Sequence, residues 1–156
     1  MPAIVQLLAS PVHRFEGRPG DGPAPAPGPE IVDEIEIRGG LGIVGDRYFA
    51  RPAHRDAAVT IMAAEFLPDD VDLTRTRRNI LVREIPVDDM VGRTLTLDSG
   101  LGPVVFAVHR PARPCAWMDV TIGPGARKNL RGHGGVRTRP LTDGRLRVGP
   151  VTFTVD

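Results

Sequence analysis

Short apolar runs broken by turn residues make up most of the chain. AIVQLLAS opens it with a mostly apolar run. IVDEIEIR sets Ile31, Ile35 and Ile37 on one face against Val32, Glu34 and Glu36 on the other, the period of two that marks a half-buried strand. AAVTIMA, RNILVRE, RTLTL, PVVFAVHR, RLRVG and VTFTV continue the pattern, rich in Val, Ile and Thr and divided by turn signals such as Asp98-Ser99-Gly100 and Asp143-Gly144. Helical spacing is confined to AAEFL at 63–67, PVDDMVG at 86–92 and ARKNLR at 126–131, each too short to persist unless it packs on a sheet. The pattern predicts a mainly β fold with a few short helices, and a closed or partly closed β-barrel is one way to remove the sheet edges.

One stretch breaks the alternation. In GRPGDGPAPAPGPE, residues 17–30, proline and glycine alternate and remove both hydrogen-bond donors and backbone order, so it reads as an exposed loop. The 16 residues before it are too few to fold alone, and the whole of 1–156 reads as a single domain.

Composition narrows the classes of function. Twenty basic and 19 acidic residues give a net charge of +1, so no overall field favours nucleic acid or a membrane surface. Aromatic residues are 4% of the chain, too few for platforms that stack single-stranded bases. No apolar run approaches the roughly 18 residues of a membrane span, and the start lacks the basic segment of an export signal. One cysteine excludes an intrachain disulfide, and the expected location is a reducing cytoplasm. All but one of the basic residues are arginine, whose planar fork suits phosphate and carboxylate, so an anionic partner is expected to be a small molecule.

The polar chemistry gathers in three clusters and one thiol. In GGLGIVGDRYF, residues 39–49, Gly40, Gly42 and Gly45 have dinucleotide-fingerprint spacing, but no amphipathic helix follows. A tight turn between strands, capped by Asp46 and Arg47, is the simpler reading. TRTRRNIL, residues 74–81, puts Arg77, Arg78 and Asn79 at the start of a strand. If that strand alternates, one of the two arginines points inward and needs an anion, and Arg77 shares a side with Asn79. In the other reading these are solvated charges at a strand start. ARKNLRGHGGVRTRPLTDG, residues 126–144, either cradles an anion between Arg131, Arg137 and its glycines, or forms a helix cap and a surface strand. His54, His109 and His133 lack the close spacing of zinc ligands.

Cys115 lies in RPARPCAWMDV, just beyond the strand PVVFAVHR that Pro111 and Pro114 terminate. Functional residues often sit on such strand exits, and Arg110 and Arg113 are placed to favour the thiolate. A small buried hydrophobe is the alternative role for a free cysteine.

The series GIVGDRYF, AAVTIMAAEFL, TRRNILV, MVGRTLTLDSG, RPARPCAWMDV and LRGHGGVRTRPLTDGRLRVGP, in that order, resembles a stand-alone bacterial-type MOSC domain, the module named for the C-terminal part of molybdenum cofactor sulfurases. The resemblance runs from about residue 31 to the end. It implies a barrel like the β-barrel domain of pyruvate kinase, with Cys115 matching the family's cysteine. That cysteine is either a persulfide carrier charged by a pyridoxal-phosphate-dependent cysteine desulfurase, or the thiolate ligand of molybdenum in members that reduce N-hydroxylated compounds. The implied cofactor is thus the molybdenum cofactor, molybdopterin, with pyridoxal phosphate on the partner desulfurase and a molybdoenzyme as another partner. By position, Arg77 and Asn79 match the motif near the pterin and its phosphate, and Asp46 and Arg47 match the G-D-R turn. Trp117 and Asp119 would wall the pocket and accept pterin N–H groups, or serve as core and turn residues. A reading from another class is a binding module for a small phosphorylated ligand or a partner protein, with Cys115 as packing.

Overall fold

The computed structural model describes all 156 residues, Met1–Asp156. In chain order its strands are β1 (Ala3–Leu8), β2 (Ile31–Val32), β3 (Glu34–Arg38), β4 (Gly42–Ile43), β5 (Val59–Ala63), β6 (Ile80–Arg83), β7 (Thr94–Asp98), β8 (Pro103–Pro111), β9 (Val136–Pro140), β10 (Gly144–Arg147), β11 (Gly149–Pro150) and β12 (Thr152–Val155). Three short α-helices intervene, α1 (Leu73–Thr76), α2 (Ala116–Thr121) and α3 (Ala126–Asn129). The fold is mainly β, as the alternation predicts. No helix is long and apolar enough to cross a membrane.

The large sheet has the order β11-β1-β6-β5-β9-β8-β7-β12, with β2 added on β1. Only β5 and β6 run parallel; the other ladders are antiparallel. The two ends of that order, β11 and β12, are one stretch of chain interrupted only at Val151. Because β11 pairs with β1 and β12 with β7, the sheet curls until its opposite margins meet on residues 149–155. The small sheet β10-β3-β4 contributes Ile35, Ile37, Ile43 and Leu146 to the core inside the curl.

That core is a cluster of 21 buried residues, and a second of nine lies on the sheet's outer side under the helices. Alternation divides the central strands between them: Ile80 and Val82 of β6 face the first, Leu81 the second. In β1 a register shift between Ile4 and Gln6 lets Ile4 and Leu7 share the first cluster despite a spacing of three.

Several expectations change. Asp33 separates β2 from β3, and across it the phase inverts: Val32 packs on the first cluster with Ile35 and Ile37, whereas Ile31 packs on the second. The stretches 63–67 and 86–92 form single 3-10 turns, Ala64–Phe66 and Val87–Asp89. After the glycines at 132–135 comes no surface strand but β9, which lies between β5 and β8 and buries Val136, Thr138 and Pro140. The Pro/Gly-rich stretch carries a 3-10 turn at Pro19–Asp21 that packs on α2, and its last residue, Glu30, is buried.

Candidate functional site

The Arg77-Arg78-Asn79 segment follows α1, not the strand: β6 begins only at Ile80. Asp72 caps α1 by accepting from the Thr74 N–H at 3.0 Å, and Arg77 ends it in the left-handed region, φ 62°, ψ 18°, donating its N–H to the Leu73 carbonyl at 2.7 Å. Three successive side chains therefore diverge instead of alternating. Arg77 Nη1 pairs with Glu30 Oε1 at 2.8 Å and Nη2 donates to the Val12 carbonyl at 3.0 Å. Arg78 donates to the carbonyls of Gly134 (2.9 Å), Ala112 (3.1 Å), Arg113 (3.4 Å) and Thr76 (3.4 Å). Asn79 accepts from the Thr60 N–H at 3.0 Å and hydroxyl at 3.1 Å, and donates to Leu8 O at 3.1 Å and Asp46 Oδ1 at 3.3 Å. Strand alternation would turn only one of the two arginines inward; both are buried, because the turn at Arg77 releases them from strand geometry.

Asp46 and Arg47 close this network from the other side. Gly40, Gly42 and Gly45 have positive φ in the turns about β4, as the tight-turn reading requires. Asp46 Oδ1 accepts from Ser10 N at 3.1 Å and from Arg47 Nη1 at 3.0 Å. Arg47 Nη2 reaches the Arg77 carbonyl at 3.0 Å, and its guanidinium lies over the Tyr48 ring at 4.5 Å. Local capping is thus joined by bonds spanning 30 residues or more. Burial raises the Asp46 carboxyl above its ordinary value, against the pull of Arg47 and three hydrogen bonds. Burial also acts to raise Glu30, but hydrogen bonds from Ser10 and Arg77 and the charges of Arg77 and Arg14 outweigh it and leave the carboxyl lowered. Ser10, Arg14, Glu30 and Thr60 escape sequence reading because each partner is remote in the chain; Glu30 also ends a stretch whose composition reads as loop.

Cys115 is exposed, in the residue that precedes α2. The connection before it, 112–114, lies against the glycine loop at 132–135. A Cβ on Gly134 would come within 2.1 Å of the Ala112 oxygen, and one on Gly135 within 2.4 Å of the Ile61 oxygen, so these glycines permit close backbone approach. The Gly135 N–H donates to Asp88 Oδ1 at 3.0 Å and is spent inside the protein. Beside the two loops opens a cleft of about 370 Å³ lined by Arg113, Arg127, Arg131, Asp88 and Pro114 together with the glycines. Burial, followed by the charge of Arg137, lowers Arg78 to about 10, and Cys115 is the largest counterweight, acting to raise it.

The remaining predicted residues divide. Trp117 stacks on Phe15 with ring centroids 4.9 Å apart and planes 5° apart, and Asp119 accepts the Arg127 N–H at 2.9 Å, bracing α2 against α3. Arg137 projects from β9, cross-strand from Thr60 and Arg110. Cys115 and Arg137 thus act on Arg78, Arg113 and Arg131 line the adjoining cleft, and Arg77, Asn79, Asp46 and Arg47 form a buried frame joined by hydrogen bonds. His133 stacks on Phe66, with Nδ1 3.8 Å from Asp88 Oδ2. No group of three or more His, Cys, Asp or Glu side chains assembles as a metal-ligand set.

No known family model matches the chain, and no curated protein matches its sequence. Solved structures do match. YuaD from Bacillus subtilis aligns with a TM-score of 0.72 and 16% identity over 99% of this chain and 96% of its own. YiiM from Geobacillus stearothermophilus aligns at 0.62 and 15%, covering 99% of this chain and 75% of its own. YiiM from Escherichia coli aligns at 0.59 and 16%, covering 99% and 70%. What this chain shares with YuaD and the two YiiM proteins is the fold, over essentially its full length.

Proposed function

We propose that this chain is a MOSC-type protein of molybdenum-cofactor metabolism in which the Cys115 thiol carries sulfur as a persulfide, next to a cleft that receives the anionic end of a ligand. The observation that carries the reading is the placement of the only cysteine. It is exposed, it follows a turn clamped by Arg78 and the glycine loop, and Arg113, Arg127 and Arg131 line the adjoining cleft. The fold neighbours suggest a MOSC-type domain.

The molybdenum cofactor presents a thiophilic metal at one end and a phosphate at the other. Cys115 offers the soft ligand and the cleft arginines the forked donors, so the donor chemistry fits both ends. When bound, molybdenum would supply two-electron redox chemistry; Cys115 would hold it, and Arg113, Arg127 and Arg131 would orient the phosphate. Arg77 and Asn79 are committed to Glu30, Val12, Thr60 and Leu8, so their part is to support the site. That commitment, with the exposure of the thiol, favours the carrier role over tight retention of the cofactor.

In the carrier step the Cys115 thiolate attacks the outer sulfur of a persulfide on a cysteine desulfurase, whose pyridoxal phosphate stays on that partner. A sulfur–sulfur bond forms on Cys115, the donor's bond breaks and its cysteine leaves as thiolate, with no net electron transfer. The outer sulfur then passes by the same exchange to an acceptor thiolate on a partner of the molybdoenzyme pathway, which returns Cys115 as the thiolate with no net electron transfer. A cysteine used only as packing would be buried, which disfavours the non-catalytic reading.

The test is to charge the protein with a desulfurase and cysteine and read persulfide by mass spectrometry, alongside molybdenum and pterin assays on protein made in molybdopterin-competent cells. Wild type should gain one sulfur atom at Cys115 and Cys115→Ser none. Equal loading of both proteins, with neither metal nor pterin bound, would overturn the reading.

A further inference from the structure

A buried guanidinium ordinarily has a carboxylate, and Arg77 has Glu30. Arg78 has none: its side chain is buried, no ion pair involves it, and four backbone carbonyls take its N–H groups. Retaining a charge there costs several kcal/mol in desolvation, and neutral carbonyls offset that only if the fork geometry is kept. The carbonyls belong to three separate segments. Thr76 ends α1, Ala112 and Arg113 lead directly to Cys115, and Gly134 is the residue whose missing side chain lets its loop touch Ala112 and Pro114. The charged and titratable groups around Arg78 are Cys115, Tyr48, Arg47 and Arg137, all four of them remote from it in sequence.

We propose that Arg78 is the positioning residue of the Cys115 site: its fork clamps the 112–113 carbonyls to the glycine loop and so fixes the turn that presents the thiol beside the arginine cleft. The proposal rests on the reading of Cys115 as the reacting group, but its physical content, the clamp, is separately measurable. Lysine keeps the charge of Arg78 and loses the fork, so it cannot hold carbonyls from three segments at once.

Two variants test it from opposite sides, Arg78→Lys by removing the clamp and Gly134→Ala by wedging a methyl group between the loops. Amide hydrogen exchange should show protection falling at least tenfold in 112–115 and 132–135, with β5 and β6 unchanged. The alkylation rate of Cys115 by neutral iodoacetamide should shift at least threefold in the same two variants. Unchanged protection in both loops would overturn the proposal. So would uniform loss across β5, β6 and β9, or failure of both variants to fold, since either makes Arg78 a residue of general stability. Failure of the function reading looks different: persulfide loading would be independent of Cys115 in the wild type while the local exchange pattern stood.

Discussion

Glu30 ends a run of prolines and glycines, yet its carboxylate is 1% exposed and pairs with Arg77 at 2.8 Å and Arg14 at 3.2 Å. Glu30→Gln would leave Arg77 buried without its anion, a loss of about 3–5 kcal/mol at neutral pH by analogy with other broken buried pairs. The Glu30 carboxyl is lowered in the folded protein, so its ionisation stabilises the fold above the ordinary glutamate range and that contribution is lost as pH falls through the folded value. Denaturant titrations should therefore show the gap between wild type and Glu30→Gln narrowing from pH 7 towards about pH 3.5, below the usual glutamate pKa. Asp46 runs the other way. Burial raises it, so its ionisation costs stability, and the advantage of wild type over Asp46→Asn should shrink as pH rises through the acid range. Slopes of the same sign for the two variants would contradict the assignment. Cys115→Ser, at an exposed position, should change stability by no more than about 0.5 kcal/mol.

Segment 10–30 behaves as a strap across the helices. Arg14 Nε donates to the Ala24 carbonyl at 2.6 Å, the Ala24 N–H returns to Arg14 O at 2.8 Å, and Phe15 stacks on Trp117 of α2. Phe15→Ala should remove about 1 kcal/mol of aromatic pairing beyond the buried area and speed limited proteolysis within 17–29, while thermal unfolding of the sheet shifts little. Equal cleavage rates in wild type and variant would mean that the stack does not hold the strap. At this scale much of the fold was legible from sequence: the strands at β1, β5, β6, β7, β8, β10 and β12 all announce themselves by alternating or continuous apolar runs. The rest was hidden for identifiable reasons. Helices α1 and α2 are four and six residues long, too short to show a helical period, and α2 follows two prolines that mark only the end of β8. β2 and β4 are two-residue strands whose pairing depends on partners distant in sequence. For the site, the exposed strand exit at Cys115 could be read from local chemistry; the burial of both Arg77 and Arg78 could not, because it depends on a left-handed residue between helix and strand.

The curl of the large sheet depends on one short stretch of chain. β11 and β12 pair with opposite margins, β1 and β7, and Val151 between them is 5% exposed and packs in the 21-residue core. Its N–H donates to the Pro2 carbonyl at 3.1 Å, continuing the contact with the first margin, while the next residue, Thr152, opposes Asp98 on the other. A charge at Val151 would be desolvated in an apolar interior with no partner, so Val151→Asp should cost about 4 kcal/mol or more. Because the same segment holds both margins, the loss should also have a pattern: amide protection should fall together in β1 and β7, although these strands are far apart in the sheet order. Thr154→Asp is the control. Thr154 is exposed on β12, and the substitution should stay within about 0.5 kcal/mol and leave β1 protected. If Val151→Asp frees β7 but leaves β1 as protected as in the wild type, the two margins are held independently. If both open at the same denaturant concentration, the one segment 149–155 is what keeps the curled sheet together, and with it the relative placement of β5, β6, β8 and β9 that brings Arg78, the glycine loop and Cys115 to one end.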